Sequence, residues 1–153
     1  MTSQQVKDQA DTAQLQRPAV VTALIVATAV LAYRALAIVM IGQVGELPDG
    51  PPESWFVPML GDIFVGVGAV ITAILLSKRS TYTAWLTAVI FHTFAFADIL
   101  QAIVNAIREP YDGSLVGDLM LPVLWLGALI SVVNVYLLSR RDVRQHYQDN
   151  NAL

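Results

Sequence analysis

Arg34, Asp62 and Asp98 are the residues of this chain whose types could do chemistry, because all three fall inside long apolar segments. A charge at membrane depth costs several kcal/mol unless it is paired, hydrated or close to an interface. An arginine can hold a carboxylate through two parallel N–H···O bonds, which satisfies both charges in a dry place. A carboxylate without such a partner could instead carry a proton or hold a small polar ligand. Asp118 is a further acid in an apolar segment. It follows a glycine near an expected helix start, where free N–H groups stabilise a carboxylate, and that role is favoured for it. Asp62, which follows Gly61, is open to the same stabilisation.

The elements that must position these charges are set by composition. Of 153 residues, 56% are hydrophobic and only 14% charged, with a mean hydropathy of +0.58. Soluble domains carry about 25% charged residues. The deficit here is arranged in long blocks, which marks an integral membrane protein. There is room for four spans and no soluble catalytic domain. The chain has no cysteine, which excludes disulfides, thiolate nucleophiles, iron–sulfur clusters and cysteine-based zinc sites.

Residues 1–17 read as a polar tail, and Pro18 suits the first turn of a helix. The spans are expected at about 19–41, 56–77, 83–107 and 115–138, each near the ~20 residues that cross hydrocarbon. Turn-rich segments separate them: Leu47-Pro48-Asp49-Gly50-Pro51-Pro52, Lys78-Arg79-Ser80 and Arg108-Glu109-Pro110-Tyr111-Asp112-Gly113. Residues 18–139 form one membrane domain in this reading, and 140–153 a basic, then polar, tail. Span one is expected to be retained rather than cleaved as a signal peptide. Its apolar stretch is too long, and Arg34 stands where a cleavage region is normally neutral. Gly61-Asp62 and Gly117-Asp118 open spans two and four, and Ser77-Lys78-Arg79 and Ser139-Arg140-Arg141 close them. The likeness reads as shared topological grammar, since the two Asp-to-Ser separations differ.

Basic residues set the orientation. Lys7, Arg17, Lys78, Arg79, Arg140, Arg141 and Arg144 share one side of a four-span topology, whereas Arg108 stands on the other with Glu46, Asp49, Glu53, Glu109 and Asp112. The positive-inside rule then puts both termini in the cytoplasm. Trp55 and Phe56 suit an aromatic belt at the outer interface. This topology places Arg34 roughly 10 Å and Asp98 roughly 13 Å below the outer surface at 1.5 Å per residue. Arg34 can therefore reach Asp98 or Asp62.

Helical spacing supports burial of these groups. Asp98, Gln101 and Asn105 fall on one narrow arc of span three, a polar stripe that should face other helices or water. Ala23, Ala27 and Arg34 share a face of span one, and small residues permit close helix approach. Gly61, Gly66, Gly68, Ala69 and Ala73 suit span two to the same packing. His92 lies about 120° around span three from Asp98 and reads as a residue hydrogen-bonded to a neighbouring helix. A relay of protons between His92 and Asp98 is the functional alternative.

Other chemistries find no support. Bis-histidine haem ligation needs a second intramembrane histidine, and His146 lies in the tail. No His-x-x-x-His pair, P-loop, Gly-x-Ser-x-Gly or dinucleotide fingerprint occurs. No cofactor, metal or nucleic-acid partner is expected. Arg140, Arg141 and Arg144 read as a topology anchor at anionic headgroups. Pro122 kinks span four or sits in its first turns. Trp125 reads as a packing residue.

Pro58-Met59-Leu60-Gly61-Asp62 followed by Gly66, Asp98 in span three, and Leu121-Pro122 opening span four resemble the pattern of a family of small bacterial four-helix integral membrane proteins without an assigned function. The resemblance covers most of residues 30–140. The family has an aromatic-Asn pair where Phe91-His92 stands, and a glycine at Ala95. It implies a bacterial inner-membrane protein in which Asp62 and Asp98 are the positions to watch.

The expected fold is an all-α bundle of four antiparallel transmembrane helices with both termini cytoplasmic. The expected function is that of a small non-enzymatic accessory, binding or transport-related component. It would hold a buried polar layer of Arg34, Asp62, Asp98, Gln101 and Asn105 near the outer leaflet, and work as a homo-oligomer or with a membrane partner. The alternative is a proton-coupled or ion-conducting transporter using Asp98 and His92. A membrane-embedded enzyme stands third, for want of a nucleophile or metal set.

Overall fold

The computed structural model describes residues 18–45, 51–78, 81–110 and 115–149, and no strand occurs among them. The polar tail at 1–17, Leu47–Gly50, Arg79, Ser80, Tyr111–Gly113 and the side chain of Asp118 lie outside the described residues. Span one is built from α1 (Ala19–Val30), a 3₁₀ segment (Leu31–Ala37) and α2 (Ile38–Ile41). A 3₁₀ turn at Glu53–Trp55 leads into α3 (Phe56–Lys78), followed by α4 (Tyr82–Arg108), α5 (Leu115–Ser139) and α6 (Arg141–Asp149). Four helical stretches, Ala19–Ile41, Glu53–Lys78, Tyr82–Arg108 and Leu119–Ser139, are long and apolar enough to cross a membrane.

The helices form a ring. α1 packs on α3 and α5, and α4 packs on the same two helices. α1 and α4 therefore face each other across the bundle and meet chiefly through side chains. Trp85 Nε1, near the start of α4, donates to Leu138 O near the end of α5 at 3.0 Å. Gly127 of α5 faces Ile99 of α4. Outward surfaces are apolar, with Leu36, Val39, Phe64, Ile90 and Tyr136 all more than 60% exposed. Such faces suit hydrocarbon, which satisfies no polar group but accepts any apolar one.

The 3₁₀ segment was not expected from the sequence, and it changes which residues of span one share a face. The buried positions are Val21, Leu24, Thr28, Leu31 and Arg34, not Ala23, which is exposed. Three residues per turn stack Leu31 and Arg34 on one line, whereas an α-helix would rotate them apart. The segment also rises ~2.0 Å per residue rather than ~1.5 Å, so Arg34 sits deeper than a regular helix would place it. Beyond Val30 the backbone of span one draws away from α5 and stays against α3, although Tyr33 Oη still reaches Gly127 of α5.

Two apolar clusters close the ends of the bundle. One holds Val21, Leu24, Leu76, Ala88, Leu138, Val143 and Tyr147. α6 contributes Val143 and Tyr147 to it, so the segment read as a tail is partly a helix docked on the bundle. Tyr147 Oη donates to Leu76 O at 3.1 Å, satisfying a carbonyl at the end of α3. Arg144 lies over the Trp85 ring, 5.6 Å from its centroid, a cation–π contact. Arg140 and Asp142 pair at 2.9 Å on the surface. The guanidinium holds the Asp142 carboxyl below its usual range, though an exposed pair adds little stability.

The opposite cluster holds Trp55, Met59, Ile99, Ala102, Ile103, Leu124 and Ala128. Trp55 departs from the interfacial-belt expectation. It is only 2% exposed, and its Nε1 donates to Glu109 O at 3.1 Å. A buried indole needs such a partner for its N–H. Its neighbour Phe56 does face outward. Trp125 departs from the packing expectation in the other sense, being 54% exposed on α5. Pro122 lies inside α5, where it removes one intrahelical N–H.

Candidate functional site

Between the two apolar clusters lie two polar layers. The charged layer centres on Arg34, carried by the 3₁₀ segment with a side-chain exposure of 2%. Its Nε donates to Asp62 Oδ1 of α3 at 2.5 Å, and Nη2 reaches the same oxygen. Nη2 also donates to Asp98 Oδ2 of α4 at 2.5 Å. Nη1 lies 3.5 Å from the carbonyl of Ala95, one turn before Asp98. One guanidinium thus binds two carboxylates on two helices. The fork of five donors makes this possible, where a lysine ammonium would act as a point charge.

Glycines shape the seat. A Cβ at Gly61 would stand 2.8 Å from Asp98 Cγ and nearer still to Oδ1. A Cβ at Gly66 would stand 2.6 Å from Ala35 Cβ and nearer to the Ala35 backbone. Gly66 therefore lets the 3₁₀ segment rest directly on α3, and Gly61 leaves room for the Asp98 carboxylate. The Pro58-Met59-Leu60-Gly61-Asp62 stretch and Gly66 act together: one residue bonds Arg34, one clears Asp98, and one seats the backbone beside Arg34. Asp62 lies in the second turn of α3 and spends its charge on Arg34 rather than on the helix start.

The stripe expected on span three divides. Asp98 faces Arg34. Gln101 is exposed and does not join the layer. Asn105 is half-buried, with its Nδ2 lacking a partner among the described residues, and it lies further along α4 than the charges. The physical reason is helix rotation: turning Ile99, Ala102 and Ile103 into the core swings Gln101 to the rim.

The second layer was only half visible in the sequence. His92 is fully buried, and its Nε2 lies 3.0 Å from Thr28 Oγ1 across the bundle. Thr28 gives its own proton to Leu24 O at 2.8 Å, so it accepts from His92. That requires the Nε2–H tautomer and leaves Nδ1 without a partner. His92 is therefore bonded to a neighbouring helix, and it makes no hydrogen bond to Asp98. Thr28 was missed by sequence reasoning. Its signal was depth: Thr28 precedes Arg34 by the interval at which His92 precedes Asp98. Interpolating between the Trp85–Leu138 and Ile99–Gly127 contacts puts Ser131 and Asn134 of α5 at the level of His92. Both are fully buried, and Ser131 Oγ, Asn134 Nδ2 and Asn134 Oδ1 have no partner among the described residues.

Where the 3₁₀ segment parts from α5, a cleft of about 330 Å³ opens. Its walls include Tyr33, Leu36, Met40, Met59, Leu119 and Val123, and the charged layer enters it through Arg34 and Asp62. Leu36, Leu119 and Val123 are exposed, so the cleft opens sideways between two helices, through their apolar outer faces. Small-molecule sites usually measure about 300–1,000 Å³ and combine apolar walls with a few polar groups. No family model, curated protein or solved structure matches this chain. Chemically, the arrangement can hold an apolar body against its walls and a polar head at Asp62.

Proposed function

We propose that this protein is a small, non-enzymatic binding or transport-related component of a bacterial inner membrane, and that the cleft beside Asp62 receives an amphiphile from the bilayer. The observation that carries this reading is the position of Asp62: bonded to a buried arginine, yet on the wall of a largely apolar cleft of about 330 Å³. A purely structural ion pair has no need of such a cleft beside it. In this reading consecutive spans are antiparallel, as the Trp85–Leu138 and Ile99–Gly127 contacts support for α4 and α5. Both termini are cytoplasmic, as the basic residues favour, and the charged layer lies in the outer leaflet. The bacterial assignment rests on the family resemblance of the Gly61-Asp62 and Asp98 stretches. The protein would work as an oligomer or with a membrane partner, its exposed apolar faces supplying the contact.

The test is retention of amphiphiles by the purified protein. Native mass spectrometry should detect a bound amphiphile on the wild-type chain released from mild detergent. Val123→Trp, which fills the cleft without touching a charge, should lose it while keeping the same thermal stability. Equal retention by both would reject the cleft as the binding site.

A second reading, a proton-coupled transporter, draws on the buried and unpartnered Nδ1 of His92 and on Asn134 at its level. It requires Asp98→Asn to fold normally yet abolish a proton-linked flux in proteoliposomes. Unchanged flux would dismiss it.

A further inference from the structure

We infer that the ligand of the cleft is a single-chain amphiphile carrying one positive charge. This rests on the reading of the cleft as a binding site and names the chemistry it selects. The charged layer holds one guanidinium against two carboxylates, so with both carboxylates ionised it carries one excess negative charge. Leaving a charge unbalanced at this depth costs several kcal/mol. Arg34 also lines the cleft, but its Nε and Nη2 are committed to the carboxylates, and Nη1 lies 3.5 Å from Ala95 O.

The excess charge is presented to the cleft by one atom in particular. Both bonds from Arg34 to Asp62 fall on Oδ1, so Oδ2 accepts no hydrogen bond among the described residues. The Asp62 side chain is 22% exposed, against 10% for Asp98, and Asp62 rather than Asp98 lines the cleft. Tyr33 lines it too, and the face of an aromatic ring attracts an ammonium group. Apart from Arg34 and Trp55, the remaining walls are aliphatic or thioether, suited to a hydrocarbon chain. A volume of about 330 Å³ lies at the small end of ligand sites, which suits one alkyl chain. The lateral opening lets a head group reach Asp62 from within the bilayer while the chain stays in an apolar setting throughout.

The experiment compares three probes with the same tail: radiolabelled dodecyltrimethylammonium, dodecanol and dodecyl sulfate. Binding is measured to the full chain in phosphatidylcholine nanodiscs, with empty nanodiscs as the blank for partition. The cation should bind saturably and about tenfold or more tighter than dodecanol, and dodecyl sulfate should show no saturable binding. Asp62→Asn should abolish the preference for the cation over dodecanol. If dodecanol and the cation bind equally to the wild-type chain, the cleft stands and the charge inference falls. If no probe binds saturably, the cleft reading itself falls. If Asp62→Asn does not fold, the wild-type probe series still decides the charge preference. Val123→Trp then decides the place, since cation binding that survives it locates the ligand elsewhere.

Discussion

Asp98 occupies the space that a side chain at position 61 would need: a Cβ on Gly61 would stand 2.8 Å from Asp98 Cγ. Gly61→Ala should therefore displace the carboxylate from Arg34 and lower stability by about 2 kcal/mol, within the range for forced shifts in a packed interior. Gly42→Ala is the control, because nothing lies within 4 Å of a Cβ there. Thermal unfolding in detergent should separate the two variants, and equal melting would mean that Asp98 has other room.

Arg34 should be the least replaceable residue of the charged layer. Arg34→Ala leaves two part-buried carboxylates without their shared cation, which should cost about 3 kcal/mol, the low end of the range for breaking a buried pair. Arg34→Lys should recover only part of this, because a lysine offers no planar fork to two acids. The double variant Arg34→Ala with Asp98→Asn should lose less than the sum of the singles. A strictly additive cycle, read from unfolding midpoints, would show that the two residues are not coupled.

The Thr28–His92 bond ties helices that face each other across the bundle. Thr28→Val keeps the shape and removes the acceptor, leaving His92 Nε2–H buried without a partner. A loss of about 1–2 kcal/mol is expected. His92→Phe combined with Thr28→Val should be milder than Thr28→Val alone, since no polar group is then stranded. If the double variant is the worse of the two, the hydrogen bond is not what the pair contributes.

α6 is held by Val143 and Tyr147, both fully buried. Tyr147→Ala should remove about 3 kcal/mol of packing and free the helix from the bundle. Trypsin in limited proteolysis should then cut after Arg141 and Arg144 much faster than in the wild-type protein. Tyr147→Phe, which keeps the ring and loses the bond to Leu76 O, should show a smaller change. Unchanged cleavage in Tyr147→Ala would mean that α6 is anchored elsewhere.

Because the chain has no cysteine, single-cysteine labelling can fix the orientation. With both termini cytoplasmic, Gln43→Cys should react with a membrane-impermeant maleimide in intact cells, and Gln145→Cys only after lysis. Both positions are exposed. The reverse pattern would invert the proposed topology.

What was legible in the sequence followed from the solvent. Hydrocarbon demands about 20 apolar residues per crossing, so the four long helices could be read from composition alone. Arg34, Asp62 and Asp98 stood out for the same reason, since a charge is conspicuous where the solvent will not hold it. Only the tertiary structure decided who meets whom. Periodicity grouped Gln101 with Asp98, but core packing of Ile99 and Ala102 turned it outward. Trp55 turned inward because a carbonyl at Glu109 was within reach of its N–H. The 3₁₀ segment, the seat at Gly66 and the cleft beside Asp62 arise from the close approach of span one to α3 and its departure from α5. Apolar side chains are nearly interchangeable toward lipid, so their pattern sets where helices lie but not how each is rotated. Rotation is decided by clearance at small residues and by the polar groups that must find partners.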